Sequence, residues 1–151
     1  MKIGIGADHR GFKLKSKLKE YLLLNGKKVI DFGPDSEEPL DYPKIALKVA
    51  QAVVKKKIKF GILSCFSGQG MAISANKVKG IRAAICTDKE LAYYARAHND
   101  ANILVLPARS IIRKKQWAPI IETFLSTEFK GGRHRRRINI IKRYERQQLV
   151  K

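Results

Sequence analysis

Little in this sequence supports a fold held by cross-links or a place in a membrane. Of 151 residues only two are cysteine, Cys65 and Cys86, and each follows a short apolar run. Two such cysteines make no disulfide framework; they read as free thiols in a reducing, cytoplasmic setting. No apolar run approaches the ~20 residues that a membrane-spanning helix needs, so no membrane partner is expected. The opening MKIGIGADHR reaches Asp8 and His9 after a few apolar residues, and does not read as a signal peptide. Internal repeats and low-complexity linkers are missing, and one domain spanning residues 1–151 is the expectation. Hydrophobic residues make up 44% of the chain, enough for one sizeable core.

Acidic residues are scarce as well. Thirteen Asp and Glu stand against 32 Lys and Arg, leaving a formal net charge of +19. Positive charge on this scale attracts polyanions and small anionic substrates alike. Many of the lysines are spread along helical segments, where a solvated basic surface is the plainer reading.

What is present is an alternation of short apolar strands with amphipathic helices. Residues 2–7, KIGIGA, alternate around Ile3 and Ile5 and predict a strand. Leu14, Leu18, Tyr21 and Leu22 follow at helical spacing, and Asn25 and Gly26 supply a stop. Further strands are predicted at 29–32, 60–63, 81–86 and 103–106. Helices are predicted around Ile45–Val53, at 71–78, at 88–97, around Trp117–Leu125, and as a basic helix over 133–149. Residues 33–40, GPDSEEPL, read as a loop. This alternation favours a parallel sheet with helices on both faces.

In a doubly wound sheet ligands bind beyond the carboxyl ends of the strands, where strand order reverses. For the common order 2-1-3-4-5 that point lies between strands one and three. Strand one ends at Asp8 and His9, and strand three ends at Ser64, Cys65, Phe66 and Ser67. The turn CFSGQG, with Gly68 and Gly70, joins that strand to a helix. Backbone N–H groups in such a turn bind anions and stabilise developing negative charge. A thiolate beside them is able to abstract a carbon-bound proton and leave an enediolate. A buried, inert Cys65 and ordinary turn glycines are the alternatives. His9, His98 and His134 each suit proton transfer near neutral pH, or serve as structural residues. In Arg133–Arg137, RHRRR, Arg133 and Arg137 share one helical face while Arg135 points elsewhere. Such a run fits a nucleic-acid patch, a phosphate clamp or a solvated face. Arg109 stands just past strand five.

Several stretches together resemble ribose-5-phosphate isomerase type B. They are GADHRGFKLK at the start, DYP at 41–43, CFSGQG at 65–70, ANKVKGIRAA at 75–84, HNDAN at 98–102 and GGRHRRRI at 131–138. The isomerases of galactose 6-phosphate and allose 6-phosphate are similar relatives. The resemblance implies a Rossmann-like αβα sandwich with a five-stranded parallel sheet and a C-terminal helical arm. It implies a homodimer or dimer of dimers with sites shared between subunits. It also implies metal-free, cofactor-free interconversion of ribose 5-phosphate and ribulose 5-phosphate in the pentose phosphate pathway, with no specific nucleic-acid partner.

By motif position, the resemblance makes Cys65 the base moving a proton between C1 and C2. The backbone of Phe66, Ser67, Gly68, Gln69 and Gly70 becomes the anion hole, with the Ser67 hydroxyl near the reacting oxygens. Asp8 would contact the sugar hydroxyls, His98 would open the furanose ring, Asn99 would hold the sugar, and Tyr42 would line the pocket. His9, Arg109, Arg133 and Arg137 would bind the phosphate. Some members carry a glutamate base where this chain has Met71, so the cysteine variant is the consistent one. Phe66 stands where the family usually has glycine, and a positive φ there would strain it; otherwise its ring narrows the pocket. Pro107 and Ala108 replace a small, glycine-rich pair.

Overall fold

The computed structural model describes residues 1–114 and 116–148. Its first strand, β1 (Lys2–Ala7), follows the alternation of its sequence: Ile3 and Ile5 are fully buried in one apolar layer. Gly4 and Gly6 alternate with them. A Cβ at Gly6 would stand 2.5 Å from Ile45 Cγ2, so the absent side chain lets a helix settle close on that face. Helix α1 (Phe12–Leu24) buries Leu14, Leu18 and Leu22, one residue per turn. The chain continues through β2 (Lys28–Asp31), α2 (Tyr42–Val54), β3 (Phe60–Cys65), α3 (Gln69–Ala75), β4 (Ala83–Ile85), α4 (Lys89–Ala97) and β5 (Ile103–Pro107). It closes with α5 (Ala108–Lys114), α6 (Trp117–Ser126) and α7 (Gly132–Gln147). Residue 149, the predicted end of the last helix, lies outside the described residues.

All strand pairs are parallel. Side chains of α1, α4 and α6 share one apolar layer, and those of α2 and α3 share the other. Crossovers running in opposite directions along a sheet must use opposite faces if each is right-handed, and this pairing of helices satisfies that rule. The result is the expected three-layer αβα sandwich, with α7 as a C-terminal arm.

One expectation about the sheet needs correction. The strand order is β2-β1-β3-β5-β4, not 2-1-3-4-5. Every residue of β5 is buried, which suits a strand with neighbours on both sides. The three residues of β4 are only half-buried, as befits a short edge strand. The reversal point between β1 and β3 is unaffected. In addition, the segment after β5 enters α5 at once, so Pro107 ends a strand and Ala108 begins a helix.

One buried ion pair ties α1 to β2. The Lys15 side chain is 4% exposed, and its Nζ donates to Asp31 Oδ1 at 2.8 Å, to Oδ2 at 2.9 Å and to the Pro34 carbonyl at 2.6 Å. Burial alone would raise the Asp31 carboxyl. Hydrogen bonds from Lys15, the Gly33 N–H and Lys19 outweigh it and hold the group below its ordinary 3.8. A lowered carboxyl contributes stability that is complete above its unfolded value and is lost as pH falls through the folded one. Asp31→Ala strands a buried ammonium and should cost about 3–5 kcal/mol in a urea titration at pH 7. The gap between variant and unaltered chain should narrow as pH falls below 3.8 and the unaltered chain's carboxylate progressively takes up a proton. An unchanged urea midpoint at pH 7 would contradict this.

Candidate active site

Three adjacent strands, β1, β3 and β5, deliver their chains to one edge of the sheet. Ala7 pairs in register with Ser64, and Cys65 with Pro107. The loop after β1 is folded on itself by Asp8, whose Oδ1 accepts the N–H groups of Arg10 at 3.0 Å and Gly11 at 2.9 Å. Its own N–H reaches across to the Ser64 carbonyl at 3.2 Å. Gly11 makes this approach feasible: a Cβ there would stand 2.3 Å from the Ser64 oxygen. Asp8 is only 6% exposed, yet its second carboxylate oxygen has no hydrogen-bond partner among the described residues. His9 Nδ1 accepts the Leu40 N–H at 3.3 Å, which leaves Nε2 to donate.

The turn after β3 is built around a sulfur. The Gly68 N–H donates to Cys65 Sγ at 3.2 Å, and the Gln69 N–H to Ser67 Oγ at 3.3 Å. Gly68 has φ +80°, a conformation that glycine adopts without cost. Cys65 is 5% exposed and lies in the α2–α3 layer with Met71. Tyr42, the first residue of α2, lays its ring on Gly70; a Cβ at Gly70 would stand 2.6 Å from it. The other thiol is no rival. Burial, and secondarily the charge of Asp88, push Cys86 up to about 12.

Phe66 does not take the strained conformation considered from sequence, since it is absent from the residues with positive φ. Its ring is instead a platform for cations. The Arg10 guanidinium sits 3.5 Å over the ring centroid, and that of Arg109 5.4 Å from it. The Arg109 N–H also donates to the Phe66 carbonyl at 3.1 Å. Around them opens a cleft of about 410 Å³ lined by His9, Arg10, Lys13, Glu37, Phe66 and Arg109, among others. Arg10 and Lys13 were not singled out from the sequence. Their signal lay in the basic character of HRGFK directly after the first strand.

The remaining selected residues are elsewhere. Helix α4 carries the chain from the end of β4 back to the start of β5, so His98 and Asn99 lie at the opposite, amino edge. His98 stacks on His134 with centroids 4.1 Å apart and planes 7° from parallel. The Lys130 N–H donates to the Ala97 carbonyl, fixing the start of α7 beside them with Arg133 and Arg137. Burial, the neighbouring His98 and the nearby Arg133, Arg137 and Lys130 all lower the His134 pKa below its ordinary 6.5. The selected residues thus fall into two groups. Asp8, His9, Tyr42, the 65–70 turn and Arg109 meet at one edge. His98, Asn99, Arg133 and Arg137 meet at the other.

Among the described residues no His, Cys, Asp or Glu cluster suits a metal ion, and no helix is long and apolar enough to cross a membrane.

Comparison with known proteins gives this geometry a family. The family described as Ribose/Galactose Isomerase matches residues 3–141. The structure of ribose-5-phosphate isomerase B from Clostridium thermocellum superposes with a TM-score of 0.95 at 46% identity, covering 98% of this chain and 99% of that one. The Thermotoga maritima ribose 5-phosphate isomerase superposes at 0.91 with 51% identity, covering 94% and 97%. Ribose-5-phosphate isomerase B from Mycoplasma genitalium, solved with bound ribulose-5-phosphate, gives 0.90 at 40% identity, with 96% of each chain covered. Coverage on this scale, at this identity, leaves one conclusion: the chain belongs to the ribose/galactose isomerase family.

Proposed function

We propose that this chain is an aldose–ketose isomerase that interconverts ribose 5-phosphate and ribulose 5-phosphate without a metal, as a step of the pentose phosphate pathway in the cytoplasm. The observation that carries the reading is the Cys65 sulfur, held by the Gly68 N–H in a turn of backbone donors, beside Asp8 and a cationic cleft.

The chemistry follows from these groups. Cys65, as thiolate, takes the proton from C2 of the open-chain aldose. The electron pair moves toward C1, and negative charge develops on O1. The N–H groups of the 66–70 turn and the Ser67 hydroxyl stabilise that enediolate. Returning the proton from sulfur to C1, with transfer of the hydroxyl proton between oxygens, gives the ketose. Asp8, with one carboxylate oxygen uncommitted, accepts a sugar hydroxyl. Tyr42 closes the wall over Gly70. His9 and Arg109 meet the phosphate at this edge, with Arg10 held over Phe66 beside them.

The ring-opening half of the site is supplied by a second copy. His98 and Asn99 sit at the amino edge of their own sheet, together with Arg133 and Arg137. They reach Cys65 only if another chain presents that edge to it. Helix α7 carries a means of docking: Ile140, Ile141 and Tyr144 are 54%, 46% and 62% exposed, an apolar strip on an arm otherwise anchored by His134 and Ile138. A two-fold dimer of single-domain chains then holds two shared sites.

An isomerase assay on the purified protein, with chelator and no added metal, tests the reading. Ketose should form from ribose 5-phosphate faster than from allose 6-phosphate or galactose 6-phosphate. Cys65→Ala should lower kcat by at least about 10²–10⁴, the usual contribution of a positioned base, with an unchanged circular dichroism spectrum. Normal turnover in that variant would remove Cys65 from the role. Arg137→Ala should chiefly raise KM, because a phosphate contact is made equally in ground and transition states; an unchanged KM would argue against the clamp.

A further inference from the structure

The isomerase reading uses only a few of this chain's cations, and the rest are not evenly distributed. The turns that feed the amino edge, residues 25–28, 55–59 and 76–82, read NGKK, KKKIK and NKVKGIR and contain no acid. The segment leaving β2 at the carboxyl edge, by contrast, holds Asp35, Glu37, Glu38 and Asp41. The one acid of the last amino-edge turn, Asp100, is occupied by Arg82 and Arg96, each at 2.9 Å.

Helix α7 is held at the β4–β5 end of this edge. Its start is tied to Ala97 and His98, and further along Glu145 accepts the Gly80 N–H at 3.0 Å. At 100° per residue the helix has three faces. His134, Ile138 and Glu145 point to the protein. Arg133, Arg137, Ile140 and Tyr144 form the face assigned above to substrate and the second copy. The third face carries Arg135, Arg136, Asn139, Lys142, Arg143 and Arg146, which line an open groove of about 700 Å³ with Gly132. Glu145, the only acid of α7, is turned away from it. Among the described residues none of the five cations is in an ion pair.

We propose that this groove binds the phosphate backbone of nucleic acid without regard to sequence. A row of arginines along one helix face matches a regular array of phosphates, because each guanidinium fork pairs with phosphate oxygens. A bilayer surface fits less well: a membrane-lying helix sets apolar side chains beside its cations, and this face has none. Backbone neutralisation releases counterions, so affinity falls steeply with salt.

The test is fluorescence anisotropy of a labelled 20-base-pair DNA duplex titrated with the full chain at 50 and 200 mM salt. Neutralising five phosphates predicts a loss of affinity of about 500-fold across that range. In Arg136→Ala/Arg143→Ala the loss should shrink to about 40-fold, as two contacts disappear. Lys17→Ala/Lys48→Ala removes the same charge from exposed positions on α1 and α2 and should keep the full salt dependence. A second duplex of unrelated sequence should bind equally, and isomerase turnover should be unchanged in both variants. The proposal is overturned by no binding at 50 mM salt, or by an unaltered salt dependence in Arg136→Ala/Arg143→Ala. It is overturned equally by loss of turnover in that variant, or by binding to phosphatidylserine vesicles without binding to the duplex.

Discussion

In a parallel sheet every strand delivers its chain to the same edge, and every crossover helix carries it back to the other. That constraint divides the chemistry of this protein in two. The loops after β1, β3 and β5 bring Asp8, His9, the Cys65 turn and Arg109 together. The return of α4 takes His98 and Asn99 to the far edge, and α7 joins them there through the His98–His134 stack. On the proposed reading, neither half is a complete isomerase site. In that proposal a second copy closes the gap, and the arm, the apolar strip upon it and the arginines near its start are the features that support it.

Local devices then tune each half. At the carboxyl edge, Asp8 spends one oxygen on its own loop and keeps the other, while Gly11 allows two loops to approach within backbone contact distance. Phe66 replaces small-residue freedom with an aromatic platform holding Arg10 and Arg109 near the cleft. At the amino edge, cations outnumber acids, and the stacked histidines sit among them. A proton on His134 is opposed by burial first and then by these neighbours. The same inventory of residues therefore yields a small cationic cleft at one edge and a broad cationic surface at the other.

Much of this was legible in the sequence, for identifiable reasons. The alternation in KIGIGA and the spacing of Leu14, Leu18 and Leu22 report burial directly, so β1 and α1 were plain. DHRG and CFSGQG mark strand ends because polar residues and glycines follow directly on an apolar run. The order of β4 and β5 was not legible, since it depends on which strand is flanked on both sides. Helix α5 was not among the predicted helices. His98 directly precedes β5, which in a parallel sheet puts it at the amino edge, but its stacking on His134 is a contact that spacing does not encode. Arg10 escaped notice because its partner, Phe66, lies 56 positions away and meets it only in the folded chain.

The most direct test of the composite site is to mix two inactive variants. Cys65→Ala damages one edge and His98→Gln the other. Unfolded together and refolded, they should form mixed dimers in which one of two sites is intact. With random pairing, about one quarter of the unaltered activity should return, although each variant alone is inactive. Recovery at that level would establish that Cys65 of one copy works with His98 of another. No recovery, with mixed dimers shown to be present, would mean that both residues act within a single chain or not together, and the account would fail at its centre.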